Sequence, residues 1–436
     1  MPPRPKIFRD PVHNIIAFDA ADPVEAVLFE LVCTQTFQRL RRIRQLGLAH
    51  LIYHGAEHSR FSHSLGVTHV ARRIVSQIQR QSYLTRDEDR LEVLSAALLH
   101  DIGHGPFSHA IEKVTGVAHE AYTAHMIEDP DSDVHKVLAR VDAGLPGRLL
   151  AYFGPRERFP RTHQFMLDIV SSQLDADRQD YILRDGLATG VKIGVYDSER
   201  ILSMLEVWQS PDERSRRLAV SYRAKEAVED YLIARFHMFK QVYLHKAVRA
   251  AEKMLEAALR RAAELYRAGA TFDPPLGQHA QALLSGQQLD AHQFVQLDDT
   301  DIWVWLKGWR HHDDPILSSL SAGLLDRNLY KTVDLDREDP VVVARTIDRA
   351  ESLARELGLD PRYTVLVDRA SDTPYRPYDP SSGAAGAHIP ILHDDGSIAP
   401  IEHQSDLIHL LGSDSYKILR LCVPAALRQR LLARPV

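Results

Sequence analysis

Two textures divide the chain. Between residues 24 and 270 apolar positions recur at helical spacing, as in VEDYLIARFHMFKQVYLHKAVRAAEKMLEAALRRAAELYRAG, which runs to a glycine stop. The segment RLEVLSAALLH, from Arg90 to His100, carries Leu91, Leu94 and Leu98 with further apolar residues around its whole circumference, the pattern of a buried helix. After about residue 275 the pattern changes. DIWVWL fits a helix or an extended segment, YKTVDL a strand, VVVARTIDRAESLAREL a helix, and YTVLVDR and HIPILHDD strands. The expected fold is therefore mostly α, with an N-terminal segment 1–23, a helical domain 24–275 and a smaller C-terminal α/β subdomain 276–436. The Pro- and Gly-rich run from Thr373 to Gly386 reads as a loop.

Bulk numbers narrow the function classes. A net charge of −6 with 26% charged residues argues against an obligate nucleic-acid binder, so any basic site is local. One such site is the cluster Arg39, Arg41, Arg42 and Arg44, interleaved with Phe37, Leu40, Ile43 and Leu46. The apolar set is expected to face a core and the arginines to face outward. Cys33 and Cys422 are too few for a disulfide framework. No window approaches the ~18 apolar residues of a membrane span, and MPPRPKIFRDPVH has no apolar signal core. The expected location is the cytoplasm.

Histidines are concentrated: ten of 23 lie between His50 and His125. His100 and Asp101 sit together at the end of the buried helical run, where an unpaired charge costs several kcal/mol (order of magnitude) unless it meets a partner or a metal. With His63 upstream and Asp177 downstream, two imidazoles and two carboxylates form a set suited to one catalytic divalent ion. Mixed N/O ligation favours Mn, Fe, Zn or Ni over Mg. Gly103, Gly105 and Pro106 end the helix and let His104 and His109 approach the same cavity. For the His100–Asp101 pair alone, a satisfied buried hydrogen bond is the competing reading.

The runs FQRLRRIRQLG, HGAEHSRFSHSLG, HDIGHGPFSH, the HE at 119 and 120, and DADRQDYILRD occur in order over roughly residues 6 to 250. They resemble the HD-domain deoxynucleoside triphosphate triphosphohydrolases (dNTPases). LDDTDIWVWL, DRNLYK and YRPY resemble the C-terminal region of bacterial members lacking a sterile-alpha-motif domain. The resemblance implies an HD-domain helical phosphohydrolase core that converts a dNTP to deoxynucleoside and inorganic triphosphate. It implies metal ligation by His63, His100, Asp101 and Asp177. His109 is implied as general acid, poised by Glu112 where members commonly carry Asp. His104 and His119 complete the catalytic set and, with Arg178, contact the triphosphate; Arg60 and Arg235 reach phosphates. Tyr181 packs on the deoxyribose, while Asp185 and Gln45 bind its 3′-hydroxyl.

The resemblance further implies a regulatory nucleotide at Lys6, Ile7 and Arg41, and a homo-oligomer built from dimers, up to a tetramer. The position where a vertebrate relative reads guanine with an aspartate is Cys33 here, and a thiol cannot accept two N–H donors as a carboxylate does. Guanine-specific activation is therefore not expected. Two other readings stay open: an HD phosphodiesterase or nucleotidase on other nucleotides, and a non-catalytic nucleotide sensor or single-stranded nucleic-acid binder.

Overall fold

The computed structural model describes residues 4–108, 111–113, 116–335, 338–372, 388–413 and 416–433. The chain opens on an antiparallel hairpin, β1 (Lys6–Asp10) and β2 (Asn14–Phe18). The Asp10 carboxylate accepts from the backbone N–H of Val12 and His13 at 2.9 Å each, which closes the turn. Strand alternation then sends Ile16 and Phe18 into the core and leaves Ile7 and Ile15 outside.

The centre is the helix Arg60–Gln79, buried from Phe61 and His63 through Ile78 and flanked by the helices Asp87–Leu99 and Ala176–Thr189. A Cβ on Gly66 would lie 2.0 Å from Asp180 Oδ1, so only glycine lets the Ala176–Thr189 helix approach this closely. Asp87, Glu88 and Asp89 open the Asp87–Leu99 helix, where negative charge suits the helix dipole, and His100 is its C-cap residue. The buried helix expected from Arg90 onward is thus present, and it delivers His100 and Asp101 at its end.

The long amphipathic pattern is not one helix. The helix Lys225–Met238 passes through a π turn at Phe239–Tyr243, and the helix Lys246–Arg267 starts afresh, capped by His245 Nδ1 accepting from Ala247 N at 3.3 Å. Between the helices stand β3 (Leu205–Gln209) and β4 (Arg216–Ser221), an antiparallel hairpin that helical periodicity did not announce.

Beyond residue 275, DIWVWL is helical, within Asp299–Trp309. That helix and Pro315–Leu325 bury Leu306, Trp309, Leu320 and Leu324 in the main core. A second, small core holds Val343, Ala350, Ala354, Leu421, Val423 and Leu427. It forms where the helices Pro340–Glu356 and Ala425–Ala433 cover the antiparallel sheet of β5 (Lys331–Asp334), β6 (Leu366–Asp372) and β9 (Tyr416–Val423), ordered β5-β9-β6. The remaining strands, β7 (Pro390–Leu392) and β8 (Ile398–Pro400), extend the β3–β4 hairpin into a sheet ordered β3-β4-β7-β8, with β4 and β7 parallel. That sheet draws its strands from both sides of residue 275. The Thr373–Gly386 run lies outside the described residues. The fold is mostly α, as expected, and among the described residues no helix is long and apolar enough to cross a membrane.

Candidate functional site

The four expected ligands converge. His63 comes from the first turn of Arg60–Gln79, His100 and Asp101 from the end of Asp87–Leu99, and Asp177 from the first turn of Ala176–Thr189. His63 Nε2 lies 3.0 Å from Asp177 Oδ1 and 3.8 Å from Asp101 Oδ2. His100 Nε2 lies 3.4 Å from Asp101 Oδ1 and 3.7 Å from Asp177 Oδ1. Both Nε2 atoms are buried and make no hydrogen bond, so these approaches lack hydrogen-bond geometry. Orphaned ring nitrogens facing the Asp101 and Asp177 carboxylates fit a divalent cation, and the ligand atoms of His63, His100 and Asp101 lie within 4.8 Å of one another.

The remaining ring nitrogens are spoken for. His63 Nδ1 donates to Asp180 Oδ2 at 2.8 Å and His100 Nδ1 to Ala97 O at 2.9 Å, the outer contacts that fix a ligating imidazole. Burial favours neutral imidazoles here, but Asp177 and Asp180 prevail and push His63 up to about 10, and Asp101 and Asp177 likewise raise His100. Burial would also raise the carboxyl of Asp101, yet Arg60, His100 and His104 hold it well below the usual range.

A second cluster stacks beside the first. The rings of His104 and His119 are parallel at 3.7 Å, His104 Nε2 lies 3.2 Å from Asp101 Oδ1, and His119 Nδ1 donates to Glu112 Oε1 at 2.7 Å. Burial, then the Arg60 charge, keeps His104 neutral, well below the ordinary histidine range. A Cβ on Gly103 would sit 2.1 Å from His119 O, so the glycine permits the helix His119–Glu128 to bring its histidine this near. His109 lies outside the described residues. Arg60 is buried and turned inward, donating to Asp101 Oδ2 and to Ser108 Oγ at 2.8 and 3.0 Å. Arg178 pairs with Asp175, and Arg235 donates to Gln173 Oε1 at 2.6 Å; each keeps a buried Nε without a partner.

Asp177, Tyr181 and Asp185 share one face of Ala176–Thr189 at i, i+4 and i+8. Half-buried Tyr181 meets Tyr243 edge-on at 6.0 Å. Asp185 receives His58 Nε2 and the Tyr243 hydroxyl at 2.8 Å each, while Gln45 Oε1 is buried with no partner. Asp180, His58 and Tyr243 escaped the sequence reading. Asp180 stands three residues after Asp177, a helical offset that could have signalled it.

The regulatory candidates are peripheral. Lys6 sits on the face of β1 that carries Phe8, with its ammonium 5.9 Å from the Phe29 ring centre, and Ile7 is 58% exposed on the opposite face. Arg41 is exposed with its guanidinium 3.6 Å over the Phe61 ring, and Cys33 is exposed. One of the four arginines expected to face outward does not. Arg39 is fully buried, because Leu297 O and Ile102 O accept its N–H groups at 2.8 and 3.4 Å and the Phe294 ring lies 5.2 Å away. Arg42 pairs with Asp298 and Arg44 with Glu57.

The chain resembles known proteins over most of its length. Residues 60–138 match the HD domain and residues 196–271 the HD associated region. The chain is 36% identical over 408 residues to the uncharacterized protein YwfO of Bacillus subtilis (strain 168), covering 93% of this chain and 89% of YwfO. A crystal structure of a phosphohydrolase from Bacteroides thetaiotaomicron superposes with a TM-score of 0.80 at 33% identity, over 96% of this chain and all of that one. The deoxynucleoside triphosphate triphosphohydrolase SAMHD1 homolog of Dictyostelium discoideum is more distant, 27% identical over 76% of this chain and 60% of its own length. An HD match that encloses His63, His100 and Asp101, with full-length likeness to YwfO and to the Bacteroides enzyme, makes this protein a member of the HD-domain phosphohydrolase family.

Proposed function

We propose that the protein hydrolyses dNTPs to deoxynucleoside and inorganic triphosphate. The observation that carries this reading is the line Asp177, Tyr181, Asp185 along one helix face, which puts a metal ligand, an aromatic ring and a hydroxyl acceptor in the order that a phosphate, a deoxyribose and its 3′-oxygen require. The likeness to the SAMHD1 homolog supports it. His63, His100, Asp101 and Asp177 would hold a divalent ion, which would supply Lewis acidity toward a phosphate oxygen and acidify water.

The chain's own residues account for the rest. Water adds at the α-phosphorus, the bond to the 5′-oxygen breaks, and that oxygen leaves with a proton given by His109, which is restored by the proton the attacking water releases. Glu112, which holds His119 through Oε1, is assigned to poise His109 as well. Arg178 and Arg235 direct their unpartnered Nε donors to the polyphosphate, and the stacked rings of His104 and His119 line the same site. The 3′-hydroxyl meets Gln45 Oε1 and the Asp185 carboxylate, already fixed by His58 and Tyr243. Regulatory nucleotide contact at Lys6, Ile7 and Arg41 and assembly from dimers belong to the same reading. They are supported by the exposed apolar side chains Ile7 and Ile15 on the hairpin.

Chromatography of products after incubation with each dNTP, rNTP and cyclic nucleotide tests the proposal. Deoxynucleoside with intact triphosphate is expected. Monophosphate products, or turnover of cyclic nucleotides alone, would replace it with a phosphodiesterase or nucleotidase.

A further inference from the structure

One buried carboxylate ties together two segments of the site and belongs to neither. Asp299, in the first turn of the helix Asp299–Trp309, is 3% exposed. Its Oδ1 accepts from Phe107 N at 2.8 Å and its Oδ2 from Arg44 N at 2.9 Å. Phe107 and Ser108 have φ of +50° and +47°, a left-handed conformation that residues other than glycine keep only when their surroundings hold them. The same helix supplies Trp303, met edge-on by the Phe107 ring at 5.5 Å. Ser108 Oγ in turn accepts from Arg60, and Arg60 donates to Asp101 Oδ2. On the other arm, Arg44 bridges to Ser59 and precedes Gln45, whose N–H donates to His58 O at 3.0 Å.

We propose that Asp299 is a positioning residue for the metal centre: it fixes the Phe107–Ser108 turn, through which Ser108 and Arg60 hold the Asp101 carboxylate in its ligating orientation. It touches no reacting atom and acts through three links. The inference rests on the metal-dependent phosphohydrolase assignment and not on the nucleotide substrate, so its test reads metal and backbone directly.

Full-length Asp299→Asn and Ser108→Ala are compared with wild type by equilibrium dialysis against Mn²⁺ and by hydrogen exchange of peptides spanning residues 101–108. Asparagine keeps the shape of the side chain but turns an NH₂ toward one of the two N–H donors, so one tether is lost. Mn²⁺ affinity should fall about tenfold in both variants, the scale on which outer-shell partners act. Exchange at Phe107 should accelerate in Asp299→Asn and stay slow in Ser108→Ala, which cuts the chain one link later. A role confined to the Asp299–Trp309 helix would move exchange there and leave Mn²⁺ affinity alone; that result overturns the proposal. So does Ser108→Ala with wild-type Mn²⁺ affinity, which decides the matter even if Asp299→Asn fails to fold. Loss of dNTP turnover in wild type would refute the substrate reading and leave these measurements unaffected.

Discussion

His63 Nδ1 donates to Asp180 Oδ2 at 2.8 Å, and this contact decides which ring nitrogen faces the Asp101 and Asp177 carboxylates. Asp180 also takes His13 at 2.6 Å and Arg184 at 2.7 and 2.9 Å, and Arg184 reaches Asp10 at 2.8 Å. A buried row of charges therefore runs from the N-terminal hairpin turn to the candidate ligand His63. Burial alone would raise the Asp180 carboxyl, but Arg184 and the two histidines hold it well below its ordinary range, so it is an ionised acceptor and the imidazole must donate. Asp180→Asn leaves the tautomer of His63 unspecified. Metal affinity should fall by about 10- to 100-fold with helicity unchanged. Elemental analysis after dialysis against buffered metal checks it, and undiminished metal content would remove Asp180 from the outer shell.

Asp101→Ala should lose both metal and turnover. The side chain is 8% exposed and carries Arg60, so its removal strands a buried guanidinium, at a cost of about 3–5 kcal/mol. The variant should fold but melt earlier. Adding Arg60→Gln should recover part of that stability and none of the metal. Asp101→Ala with full metal content and normal turnover would exclude Asp101 from the site.

Replacing Tyr181 by Ala opens space beside the sugar carbon that carries the ribose 2′-hydroxyl. The preference for dNTP over rNTP, measured as a ratio of kcat/KM, should then shrink by about tenfold or more, the usual scale of steric discrimination. The decisive control is wild type with GTP and dGTP. Equal turnover of the two would end the argument from Tyr181.

Acid should weaken the fold through two half-buried histidines. Burial, with the nearby charges of His13, Arg72 and Arg73, drops His69 to about 4, and burial with Arg217 drops His388 to about 4. Between pH 6.5 and 4 the unfolded chain binds protons at these positions that the folded chain refuses, so stability falls as pH falls through this window, by at most about 3 kcal/mol for His69. Asp299, pushed up to about 6 by burial, works in the opposite direction over part of the same range. The comparison that isolates His69 is therefore His69→Asn against wild type, in urea midpoints at pH 6.5, 5 and 4. The variant should lose less stability on acidification; parallel curves would show that His69 contributes nothing.

The candidate metal ligands and the helix line beside them were legible in the chain alone. A His–Asp pair at the end of an apolar run is a local signal, since burial and charge in the same few residues demand a partner. The i, i+4, i+8 spacing of Asp177, Tyr181 and Asp185 is likewise set by helix geometry alone. Only the tertiary structure decided which of several like residues turn inward. In DADRQD the candidate ligand Asp177 and Asp180, which accepts from His63, are the same residue type, and they are distinguished by what packs beside each. In LDDTD, Asp298 caps a helix while Asp299 reaches Phe107 and Arg44. Arg39 reads as surface because burying a guanidinium is costly, burial drawing even this group down to about 10. It is inside because the carbonyls of Ile102 and Leu297, the latter 258 residues away, accept its protons. The parallel pairing of β7 with β4 has the same origin. Such contacts form between segments far apart in the chain, and neither local periodicity nor residue type can place their partners.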